Sequence, residues 1–546
     1  MKYKMHWLLL YSLPFLIGTF FLVSYHLSGS FSDSLTFSDS AKYADVARNI
    51  IFENEYSSNF VFWRGLENGI LESGFFEAAV LPIHTLLIFF SYLLFGVNDL
   101  AVMFVSGLFY ILAIYCIFLL GGRIFGKTVG VISALVFAAS PDVITYAVNG
   151  GSETIFIFEI LLACYLILLK PRFLTLLTIF MFVLMYFTRP QAFIYILGVL
   201  LFWLLTKYAF KKSFFYLSLA ILAGLFIDKF LLSPLDGKYF LYSITAKGAF
   251  SATTLGAGES PSDILRSSAL NMGILDLVKK IFYNLYNFYR LAPQIVNPYM
   301  LALFVISIFM KQKDKVASAF KLASLFTVGL TLLVTATSIP LFRYIHPVIP
   351  LIYLMAINVL LQTVKNIVND QWSVIRKFVS ITKSVATLVI SFVLVFVFIV
   401  GQTLGIIFLD SRFERKTKNF EKPPLYVLMG QKLKESTDPN EVVITNLDTW
   451  GSWYGERKTV WFPLTPNEIN LGDDKMHFDA IYLTSYLIND SNYFMGEEWR
   501  GIFDNPQDIK EVYIKNNYEF AGEYEFAASG NFDNENGRAV LLRRKS

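Results

Sequence analysis

The chain has 546 residues, 55% hydrophobic and 17% aromatic, with only 16% charged and a formal net charge of +4. A soluble globular domain carries roughly 25% charged residues, so this composition excludes an ordinary soluble enzyme and implies an α-helical polytopic membrane protein. The two cysteines, Cys116 and Cys164, both lie inside apolar runs. With no CxxC or Cys/His cluster beside them, a disulfide framework and a structural metal site are excluded as well.

The first apolar run, HWLLLYSLPFLIGTFFLVSYHL, follows Lys2 and Lys4. It is too long for a signal-peptide core and no A-x-A-like cleavage site follows, so it reads as a retained span with a cytoplasmic N-terminus. Next comes FSDSAKYADVARNI (37–50), with two acids just past a membrane segment. Tyr43, Val46, Ala47 and Ile50 recur at helical spacing, which makes Ser38 or Asp39 a plausible N-cap. Asp39 is then either a helix cap or a carboxylate held at the membrane–water boundary and available as a base. Asp45 reads as part of a solvated helix face.

Further candidate spans lie near 101–121, 128–148, 153–169, 173–188, 190–206, 213–232, 295–310, 317–338, 347–363 and 384–409, giving about eleven with the first. The run 79–96 is long enough to be another. The positive-inside rule decides against it: only without it do Arg123 and Lys127, Lys170 and Arg172, Lys207 to Lys212, Lys311 to Lys315 and Lys365 to Lys383 fall on the cytoplasmic side. Residues 79–96, with Pro82 and His84, are therefore expected to form a juxtamembrane helix at the outer surface.

This topology leaves 28–100, 233–294 and 411–546 outside. Residues 28–78 hold eight acids against three bases, an asymmetry that topology alone explains. Within 233–294, GAFSATTLGAGESPSD has no periodicity and reads as a linker or a substrate-gating loop. Residues 1–410 form the membrane part. In 411–546, EVVITNL, FDAIYLTS and RAVLLRR read as strands separated by helical pieces, a small extracytoplasmic α/β domain.

On the same outer side, NGGSETIFIF (149–158) puts Glu153 at the start of an apolar helix. An acid there is either functional or an N-terminal acid favoured by the macrodipole. Two acids at one outer site, Asp39 and Glu153, are what activation of a hydroxyl needs. Glu159, deeper in the same span, is a weaker candidate. LFRYIHPVIPLIYLMA (341–356) places Arg343, Tyr344 and His346 at a span mouth, and FTRPQAF places Arg189 at another. Outward arginines run against the charge trend and suit a lipid phosphate, although snorkelling or a helix-end contact explains each one singly. No Walker A, GxGxxG or HExxH element occurs, and no basic–aromatic surface for nucleic acid.

Several of these stretches together resemble one group. The first-loop SDSAKYADVARNI, the paired segment LFGVNDLAVMFVSGLFYILAIYCIFLLGGRIFGKTVGVISALVFAASP (94–141), GGSETIFIF and the Arg-Tyr-x-x-Pro form of RYIHPVIPLIYL are similar to the multi-spanning GT-C glycosyltransferases. Within these, they resemble the protein mannosyltransferase and aminoarabinose transferase-like branch. The resemblance implies transfer of one sugar from a polyprenyl-phosphate carrier to a glycan, lipid or protein acceptor at the outer face of the plasma membrane. It assigns Asp39 as base and Glu153 as the second-loop acid. Arg343 becomes a carrier-phosphate contact, with Arg189, His346 and Tyr344 beside it and Tyr43 in support. No cofactor is implied with certainty; a divalent metal, held if at all by Asp39 and Glu153, stays open. Two departures stand out: Glu77-Ala78-Ala79 lacks the Lys of the aminoarabinose transferases' E-K-P element, and Ser40 follows Asp39 where protein mannosyltransferases carry an Asp-Glu pair. An oligosaccharide ligase or polymerase using a pyrophosphate-linked glycan, and a non-catalytic lipid or sugar transporter, are the alternatives. The transporter reading lacks the expected internal repeat.

Overall fold

The computed structural model describes residues 2–27, 34–63, 66, 76–77, 80–169, 173–232, 273–312, 314–372, 382–409, 423–473, 476–488, 495–527 and 536–545. The gate-or-linker stretch 248–263, Ala78–Ala79 and the loop cations Lys170, Arg172, Lys313, Arg376 and Lys377 lie outside the described residues. The chain divides into two compact units, Met1–Leu27 with Ser106–Ile244 and Ile281–Glu414, and Ser28–Val105 with Thr245–Lys280 and Arg415–Ser546.

In chain order the first ten helices are α1 (Lys2–Leu27), α2 (Ser38–Phe52), α3 (Pro82–Phe95), α4 (Asp99–Ile124), α5 (Lys127–Ala138), α6 (Pro141–Val148), α7 (Glu153–Ile167), α8 (Phe173–Thr188), α9 (Ala192–Lys207) and α10 (Phe210–Phe226). The first unit is a helical bundle built from α1, most of α4, α5 to α10 and the helices Pro298–Phe309, Lys315–Thr337, Ile349–Asp370 and Lys383–Val395.

Among the described residues, five helical stretches are long and apolar enough to cross a bilayer: α4, Phe210–Phe230, Lys315–Thr337, Phe342–Asp370 and Lys383–Gly405. The pair α5 and α6, bent by 62°, makes a sixth if taken as one broken span. About eleven spans were expected from the sequence. Every expected position carries a helix, but several are short; α7 has 15 residues, about 22 Å of rise against a hydrocarbon core of about 30 Å.

Burial separates the helices by environment. The apolar window of Phe342–Asp370 is 89% buried in the protein, whereas that of Phe210–Phe230 is 17% buried. Leu176 and Leu222 are 69% and 65% exposed. Apolar area left in water costs roughly 25 cal/mol per Å², so these faces need lipid, and the protein is a multi-pass membrane protein. The turn between α4 and α5 packs backbone on backbone. A Cβ at Gly130 would meet the Phe118 carbonyl and the Gly122 amide, the close approach that small residues allow between membrane helices.

The second unit centres on a six-stranded sheet. Its strands are β2 (Phe60–Phe62), β4 (Val442–Thr445), β5 (Lys458–Trp461), β6 (Ala480–Thr484), β7 (Tyr518–Phe526) and β8 (Gly537–Arg544); β1 (Ser57–Ser58) and β3 (Phe76–Glu77) form a separate pair. The order is β2-β5-β4-β6-β8-β7, parallel from β2 to β6 and antiparallel from there through β8 to β7. VVIT of β4 and AIYLT of β6 are buried throughout, as central parallel strands must be, whereas β7 alternates toward the edge. Phe60, Ile444, Val460, Ile481, Trp499 and Val540 share the core.

This α/β unit is not confined to 411–546. It takes β2, α2 and α3 from the first outer segment, with Phe60, Val61 and Phe62 in register with Thr459, Val460 and Trp461. Helix α3 falls where the juxtamembrane helix was expected and is 14 residues long, about 21 Å of rise. It buries His84, Thr85, Ile88 and Tyr92 and leaves Phe90, Leu93 and Leu94 more than half exposed.

Candidate active site

In the helical unit, α6 ends at Val148 and the chain turns at Gly150, whose φ of +74° suits glycine. Gly151 has no room for a side chain, because a Cβ would stand 2.8 Å from the Glu153 carboxylate. The turn delivers Glu153 as the first residue of α7, 4% exposed. Its Oε1 lies 2.6 Å from Nη1 of Arg189, and the same Nη1 donates to Ser152 Oγ at 2.9 Å. Arg189 follows the last residue of α8, Thr188, whose hydroxyl donates to Glu159 Oε1 at 2.8 Å. Glu159 is thereby tied to its own bundle.

Pro340 and Pro347 break the chain before Ile349–Asp370, and Phe342–Tyr344 forms a short 3-10 turn. Arg189 and Arg343 stand 5.9 and 5.5 Å from the Tyr344 ring centroid, so two guanidinium groups lie close to one aromatic ring. His346, 4% exposed, has Nδ1 2.5 Å from the Tyr146 hydroxyl and Nε2 4.0 Å from Asp142 Oδ2. If the tyrosine donates to Nδ1, the proton sits on Nε2 and the ring becomes a donor there. The bundle thus brings together Glu153, Arg189, Tyr344 and His346, with Arg343 beside Tyr344. It adds Asp142, Tyr146 and Ser152, which the sequence argument passed over. Asp142 and Tyr146 are four residues apart on α6, one helical face, and that spacing was the available signal.

The second unit holds the first-loop residues. The cap position of α2 is Phe37, without a side-chain cap bond; Asp39 lies in the first turn. The expected cap at Ser38 or Asp39 is therefore displaced by one residue. A carboxylate one residue inside the start still meets the positive end of the helix dipole. Tyr43 meets His84 of α3 edge-on, centroids 4.7 Å apart, and Lys42 Nζ is 4.6 Å from the Phe62 ring centroid.

Asp45 departs from expectation most. It is fully buried, paired with Arg48 at 2.6 Å, and accepts from Ser58 Oγ at 3.1 Å and from the Asn59 amide at 2.7 Å. The turn into β2 supplies those donors, so Asp45 fastens the outer loop rather than facing solvent. Asp448, from the C-terminal segment, is 4% exposed and has Asp39 and Lys42 as charged neighbours. Burial, with Asp39 adding to it, pushes its carboxyl up to about 6 against the opposing effects of the Thr449 amide, Ser38 and Lys42.

Glu153 Oε1 is engaged with Arg189. Among the described residues, no group of three or more His, Cys, Asp or Glu side chains could hold a metal ion.

The fold is that of the GT-C glycosyltransferases. A family model described as dolichyl-phosphate-mannose-protein mannosyltransferase matches residues 79–229. The archaeal oligosaccharyltransferase AglB from Archaeoglobus fulgidus, solved with an inhibitory peptide and a dolichol-phosphate, superimposes with a TM-score of 0.56 at 13% identity, over 91% of this chain and 72% of its own. ArnT from Cupriavidus metallidurans bound to undecaprenyl phosphate superimposes with a TM-score of 0.54 at 13% identity, over 97% of both chains. No curated protein matches the chain by sequence.

Proposed function

We propose that this protein is a membrane glycosyltransferase that moves a single sugar from a polyprenyl-phosphate carrier to a hydroxyl-bearing acceptor at the outer face of the plasma membrane. The observation that carries this reading is the closeness of Arg189 and Arg343 to the Tyr344 ring, with His346 close in sequence, at the mouth of an apolar bundle. Guanidinium groups beside an aromatic ring in low dielectric suit a phosphate oxyanion. The likeness of the fold to proteins solved with dolichol-phosphate and undecaprenyl phosphate supports the same ligand class.

In the proposed reaction Asp39 accepts the proton of the acceptor hydroxyl as its oxygen attacks the anomeric carbon in line. The bond from that carbon to the phosphate oxygen breaks, and the electron pair leaves with the polyprenyl phosphate. Arg343 and His346 stabilise the negative charge as it develops. Glu153 keeps Arg189 oriented and is a positioning residue rather than a second base.

Purified protein given a labelled polyprenyl-phosphate sugar and a panel of glycan, lipid and peptide acceptors tests this reading. The wild type transfers label and Asp39→Asn loses at least a hundredfold in kcat, the usual size of a general-base contribution. Full transfer by the variant removes Asp39 as base. Transfer only from a pyrophosphate-linked glycan makes the protein an oligosaccharide ligase instead.

A further inference from the structure

The first turn of α2, which presents Asp39, is held from outside the helix. Phe37 at the cap position makes no side-chain cap bond, and the neighbouring backbone is fastened by residues about 400 positions away. The Leu35 amide donates to the Tyr454 hydroxyl at 2.7 Å, Trp450 Nε1 donates to the Leu35 carbonyl at 2.8 Å, and the Thr449 hydroxyl donates to the Ser38 carbonyl. Ten residues on, Arg48 donates to the carbonyls of Trp453 and Ser452 at 3.0 and 2.9 Å. All these partners lie on or beside the helix Thr449–Gly455.

Asp448 precedes that helix. Its backbone sits at φ +55°, ψ −151°, a region that is nearly glycine's own and strained for any other residue. Its Oδ1 accepts from the Thr449 amide at 2.7 Å, and the Ser38 hydroxyl also bonds the carboxylate. Glycine would relieve the strain, but it would give up both bonds.

We propose that Asp448 is a positioning residue for Asp39: its carboxylate, held by strained backbone, locks the Ser38–Asp39 turn so that the base faces the acceptor hydroxyl. The C-terminal α/β unit is then part of the transfer machinery through this turn, not an appendage. The inference rests on the glycosyltransferase reading above and assigns a role within it.

The decisive variant is Asp448→Gly, in the full-length protein, with kcat, donor KM, thermal midpoint and hydrogen exchange measured together. The expected result is a kcat at least tenfold lower with donor KM unchanged, a thermal midpoint equal to or above the wild type, and faster exchange confined to residues 38–45. A merely structural carboxylate gives the opposite pattern: either transfer is unchanged, or it is lost in step with a lower thermal midpoint, and each overturns the proposal. Asp448→Asn, which tolerates a positive φ and keeps an acceptor oxygen for the Thr449 amide, is expected to recover part of the lost kcat. Failure to recover any of it overturns the hydrogen-bonding role. Wild-type protein that transfers no sugar from any polyprenyl phosphate refutes the parent reading and this inference with it. An active wild type with an unaffected glycine variant refutes the inference alone.

Discussion

Glu153 and Arg189 are each less than a tenth exposed and 2.6 Å apart, so each charge is tolerated because of the other. Removing one partner of such a pair strands the second in low dielectric at a cost of roughly 3–5 kcal/mol, whereas replacing both is often close to neutral. Arg189→Met is therefore expected to lower the thermal midpoint of detergent-solubilised protein more than the double variant Glu153→Gln/Arg189→Met does. Equal losses would mean that the pair contributes nothing beyond packing. Asp448 adds a pH dependence. Burial, with Asp39 adding, raises its carboxyl from 3.8 to about 6. An acid with a raised folded-state pKa contributes stability that is fully present below its unfolded value and is lost as pH climbs through the folded one, here about 3 kcal/mol at 1.36 kcal/mol per unit. The thermal midpoint of Asp448→Asn should accordingly match or exceed that of the wild type at pH 7.5, with its relative advantage falling away toward pH 4.

At the level of elements, local pattern was legible and long-range partnership was not. The glycines of NGGSE and the prolines around RYIHP announce turns, and turns precede Glu153 and hold Arg343. A helix over 79–96 was legible too, from its apolar run, and α3 occupies Pro82–Phe95. Asp45 was misread because periodicity describes a helix in isolation. Its buried face is defined by the turn at Ser58 and Asn59 and by Arg48, which donates onward to Trp453 and Ser452. No spacing rule reports a contact across 400 residues. The prediction at this scale is that Arg48→Ala, which leaves Asp45 buried without its cation, loosens α2. Limited proteolysis should then cut within 45–62 at least several-fold faster than in the wild type, with cleavage inside the helical unit unchanged.

For the whole molecule, the division into two units runs across the sequence rather than along it, since the first outer segment belongs with the C-terminal one. The two units carry separable tasks under the proposed function: the helical unit offers guanidinium and imidazole groups to a carrier phosphate, and the α/β unit carries and fixes the base. A domain read as beginning at 411 would suggest that removing it spares the catalytic core. The shared sheet argues otherwise, because β2 would lose its neighbour β5 in the sheet and α2 would lose the helix Thr449–Gly455. A chain ending at residue 410 is therefore expected to insert in the membrane and still copurify with polyprenyl phosphate by mass spectrometry of extracted lipid, yet to transfer no sugar. Transfer by that truncated chain at more than a tenth of the full-length rate would show that the base is held without the C-terminal segment. Loss of the copurifying lipid along with transfer would show that the helical unit does not hold the donor by itself.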